Sequence, residues 1–163
     1  MRCVVAVCSD WGIGHEGRLL VRNREDMRRF VALTTGNVVV MGRATYESLP
    51  GRRPLKDRRN VVVSRTLATP PEGFELVRDL EELDGLLEGV EPGRVWCIGG
   101  ASLYGQLLGR CDECHVTLND CVRPADAFFP DLAADPAWEL AEDEDRGATP
   151  EGVPFRFQVW RRR

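Results

Sequence analysis

Apolar positions fall along this chain in two rhythms. Short, nearly unbroken runs of β-branched residues occupy residues 3–8, 37–43, 60–65 and 94–100, and such runs read as strands covered on both faces. Two of them lead through a turn residue straight into a helical pattern: 37–43 into 44–49, and 94–100 into 101–108. Strand, turn and helix in that order predict parallel strands joined by crossovers, hence an α/β fold. The leucines and acids of 80–87 predict a further short helix, and from Asp26 onward Met27, Phe30, Val31 and Leu33 share one helical arc with that aspartate. Glu25, Arg28 and Arg29 fall on the other side of that arc. After Cys114 the pattern changes to strands without helices, and the alternation of 155–160 suits an antiparallel edge hairpin with one wet face.

A chain of 163 residues fits one domain spanning 1–163, with no linker and no full internal repeat. The net charge of −4 offers no general attraction to nucleic acid or an anionic membrane, so anions have to be met by local basic groups. No apolar run approaches the roughly 20 residues that cross a bilayer, and the first strand is too short for a secretory signal. A cytoplasmic location with reduced thiols is therefore expected. The segment Cys111-Asp112-Glu113-Cys114-His115 spells a haem-attachment pattern, but that chemistry requires export, and a structural zinc site requires four ligands. No metal is expected. The skew of 21 arginines against the single Lys56 carries no functional weight.

Chemistry is better sought in turns and in one misplaced charge. Gly99-Gly100 after Ile98 lets backbone approach a ligand closely, and the helix beginning near Ala101 aims its positive end at the same point. Arg43 after Gly42, and the Ser64-Arg65 pair, occupy equivalent ends of two strands that can lie side by side, where they suit a phosphate monoester such as the one that separates NADP from NAD. Asp26 sits on the apolar arc of its helix, where a carboxylate is costly unless a ligand or partner satisfies it. Asn23-Arg24-Glu25-Asp26 also resembles a capping box. The two roles are compatible, and periodicity does not choose between them. His15 and His115 are too isolated to activate a nucleophile, which argues against a hydrolase. The cluster Arg52, Arg53, Lys56, Arg58 and Arg59 lacks interleaved aromatics and suits a small carboxylate better than nucleic acid. The acidic run Glu142-Asp143-Glu144-Asp145 reads as a solvated loop.

The order of these motifs resembles the dihydrofolate reductase family from end to end. The resemblance is carried most specifically by Met41-Gly42-Arg43-Ala44-Thr45-Tyr46-Glu47-Ser48 and by Ile98-Gly99-Gly100 with Tyr104, and is supported by Gly12-Ile13-Gly14, Asp26 with Phe30, Ser64-Arg65, Thr117 and Asp126-Ala127-Phe128-Phe129-Pro130. It implies a central, mostly parallel eight-stranded sheet with an antiparallel C-terminal hairpin and about four helices, NADPH across the carboxyl edge and a pterin beside the nicotinamide. Asp26, hydrogen-bonded with Thr117 and overlooked by Leu19, would hold the pterin and support its reduction. Val4, Val5, Phe30, Leu49, Leu55 and Ile98 would line the substrate pocket, and Arg58 would pair with the glutamyl tail. Ala6, Ile13, Gly14, Leu19, Gly42, Thr45, Ile98, Gly99, Gly100, Ser102, Leu103 and Tyr104 would surround the nicotinamide and pyrophosphate. Arg43, Ser64, Arg65 and Arg78 would meet the 2′-phosphate.

The same resemblance implies an NADPH-dependent oxidoreductase that acts as a monomer on dihydrofolate, binds antifolates, and binds neither nucleic acid nor membrane. The chain departs from the family pattern where Pro-Trp usually precedes the acidic helix and Leu20-Val21 stands here, at Arg24 in place of a proline, and at Lys56-Asp57 in place of Pro-Gly. Two alternatives share the cofactor motifs: the related reductase of riboflavin biosynthesis, acting on a ribosylaminopyrimidine, and a catalytically silent NADPH-binding protein.

Overall fold

The computed structural model describes all residues 1–163. Its eleven strands are β1 (Arg2–Cys8), β2 (Gly12–His15), β3 (Arg18–Leu19), β4 (Val38–Gly42), β5 (Arg59–Val63), β6 (Glu75–Val77), β7 (Val95–Cys97), β8 (Glu113–Asn119), β9 (Ala127–Phe128), β10 (Trp138–Ala148) and β11 (Pro154–Arg162). Its four α-helices are α1 (Arg24–Thr34), α2 (Arg43–Ser48), α3 (Leu80–Leu86) and α4 (Ala101–Leu107). Eight strands form one sheet in the order β10-β11-β8-β1-β7-β4-β5-β6, and β3, β2 and β9 form a small second sheet. Every pairing from β8 to β6 is parallel, whereas β11 runs antiparallel to both β8 and β10.

The runs of valine are explained by what covers them. One face of the sheet presents Val5, Val7, Val40, Val61 and Val116 to Leu83 of α3 and to Leu103 and Leu107 of α4. The other presents Val4, Val39, Met41, Val62 and Trp96 to Tyr46 of α2 and, less completely, to Phe30 and Leu33 of α1. Both faces are dry, so strict alternation is lost. Arg43 and Ser64 end up side by side because β4 and β5 run parallel in the register Gly42↔Val63.

Two expectations are corrected. The acidic run 142–145 is not a loop but lies within β10, an edge strand whose residues 139–148 are all exposed. Its acids are met from the neighbouring strand, Asp143 by Arg156 at 2.7 Å and Glu142 by Arg161 at 2.9 Å, and its register slips between Leu140 and Glu142. Charge and irregularity on an edge strand discourage pairing with other chains. The buried arc of α1 is also rotated from the one expected: Met27 and Val31 are 49% and 43% exposed, while Thr34 is fully buried. Arg29, expected outside, lies against β8 and β11.

Candidate active site

Parallel strands deliver their carboxyl ends to one edge, and the site is built there. The turns after β4 and β7 are tied together, Gly42 N–H donating to the Gly99 carbonyl at 2.7 Å and Ile98 N–H to the Val40 carbonyl at 2.9 Å. Gly99 has φ +108°, and a Cβ there would lie 2.9 Å from the Tyr104 ring, so only glycine fits. The Gly99-Gly100 peptide is cis. Tyr104 is held by its hydroxyl, which donates to the Val4 carbonyl at 2.7 Å. No side chain caps the N-termini of α2 or α4, which leaves their first N–H groups facing the edge.

A cleft of about 340 Å³ opens over these turns and is lined by Val5, Ala6, Ile13, Gly14, Leu19, Thr45, Ile98, Gly100 and Tyr104, with others. Ser102 and Leu103 stand apart from it: the Ser102 hydroxyl accepts from Gln106, and Leu103 is buried in the core. Toward the sheet's far edge, Arg43 bonds Glu47 at 2.8 Å and Thr66 at 2.6 Å. The Ser64 hydroxyl accepts from the N–H groups of Thr66 and Leu67, each at 3.2 Å. Arg65 is exposed. Arg78 bonds the carbonyls of Ser64, Leu67 and Ala68, fastening the turn rather than reaching out from it. Thr66, not anticipated from the sequence, thus belongs to the cluster. Two exposed arginines and two hydroxyls at one strand edge suit a phosphate monoester.

An adjoining cleft of about 320 Å³ contains Asp26, Met27, Val21, Asn23 and Leu19, and Leu19, 62% exposed, lines both clefts. Asn23 resolves the two roles open to Asp26. Its side-chain oxygen accepts from the N–H groups of Glu25 and Asp26 at 3.1 and 3.2 Å, so the Asp26 backbone serves the cap while its carboxyl takes no part in it. Burial pushes that carboxyl above the usual aspartate range, and the Thr117 hydroxyl and the Arg29 guanidinium pull it part of the way back. Thr117 is buried on β8 directly beside Ala6 of β1.

Phe30, Leu49, Leu55 and Ile98 are half-buried against one apolar cluster that includes Val4. Val5 lines the neighbouring cleft. Arg58 stands at the end of this row, its guanidinium 5.8 Å from the Phe30 ring centroid and bonded to Thr34 Oγ1 at 3.1 Å. In the loop before α1, Val21 fills the space beside Cys8 and Val153, so a small apolar side chain stands where the resemblance leads one to expect an indole. A larger depression, about 690 Å³, lies around Arg58, Arg59 and Arg94 at the opposite ends of the strands. It is polar, and Arg59 and Arg94 are engaged with Glu75 and Asn37, so we assign the chemistry to the glycine-lined edge.

Glycine turns and an arginine–hydroxyl cluster beside a half-buried carboxyl suit a nucleotide-dependent oxidoreductase of the α/β class. The family is fixed by comparison: the family model described as dihydrofolate reductase matches residues 1–162, and the chain belongs to that family. It is 35% identical over 155 residues to the dihydrofolate reductase of Neisseria gonorrhoeae, covering 94% of this chain and 93% of the relative. It is 32% identical over 188 residues to that of Rattus norvegicus, covering 100% and 97%. Among solved structures it is similar to dihydrofolate reductase from Enterococcus faecalis complexed with NADP(H) and RAB-propyl, with a TM-score of 0.87 and 26% identity, covering 99% of this chain and 95% of that one.

Proposed function

We propose that this chain reduces 7,8-dihydrofolate to 5,6,7,8-tetrahydrofolate, with hydride passing to pterin C6 and a proton to N5. The observation that carries the reading is Asp26, which lines the cleft adjoining the one over the Gly99-Gly100 turn and whose carboxyl takes no part in its own helix cap. Bound NADPH supplies the hydride. The fit of that cofactor rests on the space left at Gly100, where a Cβ would meet only Thr45 Oγ1, at 3.6 Å. In this reading Gly42, Gly99, Gly100 and Thr45 receive the pyrophosphate, and Ala6, Ile13, Gly14, Leu19 and Tyr104 enclose the nicotinamide. Arg43, Ser64 and Arg65, joined by Thr66, take the 2′-phosphate, while Arg78 holds their turn. Ser102 and Leu103 contribute through backbone alone.

On the substrate side the Asp26 carboxylate accepts from the pterin 2-amino group and N3, with Thr117 supporting its orientation. Its negative charge under the ring draws positive charge toward N5 and so favours protonation there. Val4, Val5, Phe30, Leu49, Leu55 and Ile98 shape the walls, Leu19 screens the reacting atoms from water, and Arg58 pairs with the tail carboxylate. The same pocket is the one an antifolate would occupy. No helix is long and apolar enough to cross a membrane, and we place the chain in the cytoplasm as a monomer, which sedimentation checks.

Purified protein should consume NADPH when given dihydrofolate, and methotrexate should stop it. A folded, NADPH-binding preparation that leaves dihydrofolate unchanged, or that acts on a ribosylaminopyrimidine instead, overturns the reading.

A further inference from the structure

The buried arc of α1 carries a second charge, one turn after Asp26. Arg29 Nη1 donates to the Val116 carbonyl of β8 at 2.9 Å and lies 3.5 Å from Thr117 Oγ1, while Nη2 donates to the Gln158 carbonyl of β11 at 3.0 Å. Val116 and Gln158 face each other in the β8–β11 register, so one guanidinium clamps two strands to the helix. Its charge rests on the Phe157 ring, 4.5 Å from the centroid, with Arg146 at 5.1 Å over the same ring.

A side chain that merely held α1 against the sheet would need no charge, because Phe30 and Leu33 already do so by packing. Burying a guanidinium is costly unless something answers it. The titratable groups around it are Asp26 on α1, His115 on β8, and Glu142, Glu144 and Arg146 on β10. Glu142 is engaged by Arg161 at 2.9 Å and Glu144 by Arg146 at 2.7 Å, and His115 bonds Glu113 at 2.9 Å. Asp26 is the acid among them that forms no ion pair of its own. We propose that Arg29 is the positioning residue of the Asp26 carboxylate: it fixes α1 to β8 and β11 and supplies the positive charge that keeps the carboxylate available to substrate. The mutual influence of the two groups has the matching sign, since Arg29 lowers the Asp26 carboxyl against burial and Asp26 raises the Arg29 guanidinium against burial.

The inference rests on the reading of Asp26 as the substrate-holding group, so its test is made without substrate. Carboxyl ¹³C NMR of the free protein should show the Asp26 titration midpoint moving up by about 1 pH unit in Arg29→Met and by less than about 0.5 in Arg29→Lys, which keeps the charge. NADPH binding, followed by fluorescence, should be unchanged and certifies the fold of each variant. Arg29→Gln, which retains one donor arm, should show the same rise as Arg29→Met and serves where that variant does not fold. In the enzyme assay the limb of the pH profile governed by Asp26 should shift with the NMR midpoint. An unmoved midpoint in a folded, NADPH-binding neutral variant, or equal shifts for Lys and Met, overturns the proposal. Absent turnover with a shifted midpoint would instead count against the folate reading alone.

Discussion

The two sides of the cleft are built from different materials. The side we assign to the cofactor is mostly backbone: two glycine turns hydrogen-bonded to each other, with uncapped helix starts behind them. The side we assign to the substrate is mostly side chain: α1 presents a carboxyl, and Thr117 of β8 and Arg29 of the same helix both lower it against burial. A site made of backbone is rigid and tolerates little added volume, whereas a site made of charged side chains is tunable and carries a cost in stability. That contrast predicts opposite responses to substitution on the two sides.

The largest effect is expected at Asp26. Asp26→Asn should lower turnover of dihydrofolate near neutral pH by about 100-fold or more in a steady-state assay, with NADPH binding retained. It should also make the protein more stable at pH 7. Because burial raises the folded-state carboxyl above its unfolded value, the native protein binds this proton more tightly than the unfolded chain, and stability falls as pH rises through that window. Asparagine removes the penalty, so the urea midpoint should rise at pH 7 and the gain should fade toward pH 4. An equal or lower midpoint at pH 7 would mean that Arg29 and Thr117 compensate the charge in full.

The mirror experiment is Gly99→Ala, in which function and stability should fall together. The methyl group meets the Tyr104 ring at a φ that only glycine tolerates, so a loss of about 1–3 kcal/mol in urea unfolding is expected, with NADPH affinity weakened at least about 10-fold. Full affinity in that variant would remove the cradle from the account. A smaller effect is expected at the phosphate cluster: Arg43→Ala should raise KM for NADPH by about 10-fold and leave that for NADH nearly unchanged. An equal change for both cofactors would place Arg43 elsewhere. The smallest belongs to the exposed edge, where Arg156→Ala should leave the urea midpoint nearly unchanged and turnover not altered at all.

The same contrast explains what was legible in the sequence. The glycine turns are written locally, each as a strand, a glycine and a helix, so residues 37–49 and 94–108 announce the parallel sheet and point to the edge we propose for the cofactor. Asp26 was legible because a carboxylate among apolar residues is conspicuous. Arg29 is not, because the apolar arc drawn through Met27 and Val31 is centred too far round the helix; both side chains stay exposed. What turns Arg29 inward is a pair of carbonyls 87 and 129 residues away, which no local pattern encodes. The strand character of 142–145 was hidden for a related reason, since its acids are answered by Arg156 and Arg161 on the partner strand rather than by alternation within it. Thr66 escaped notice as one hydroxyl in a turn, and its role appears only once Arg43 and Ser64 are seen around it.

The central claim is that this edge brings NADPH and a pterin held by Asp26 into direct reaction. Single-turnover reduction of dihydrofolate with NADPH deuterated at its transferable position tests it directly, with the product examined by NMR. The account predicts one deuterium at C6 of tetrahydrofolate with the wild-type chain and a strongly slowed transfer in Asp26→Asn. Product without deuterium at C6, or equal transfer in the two proteins, would contradict it.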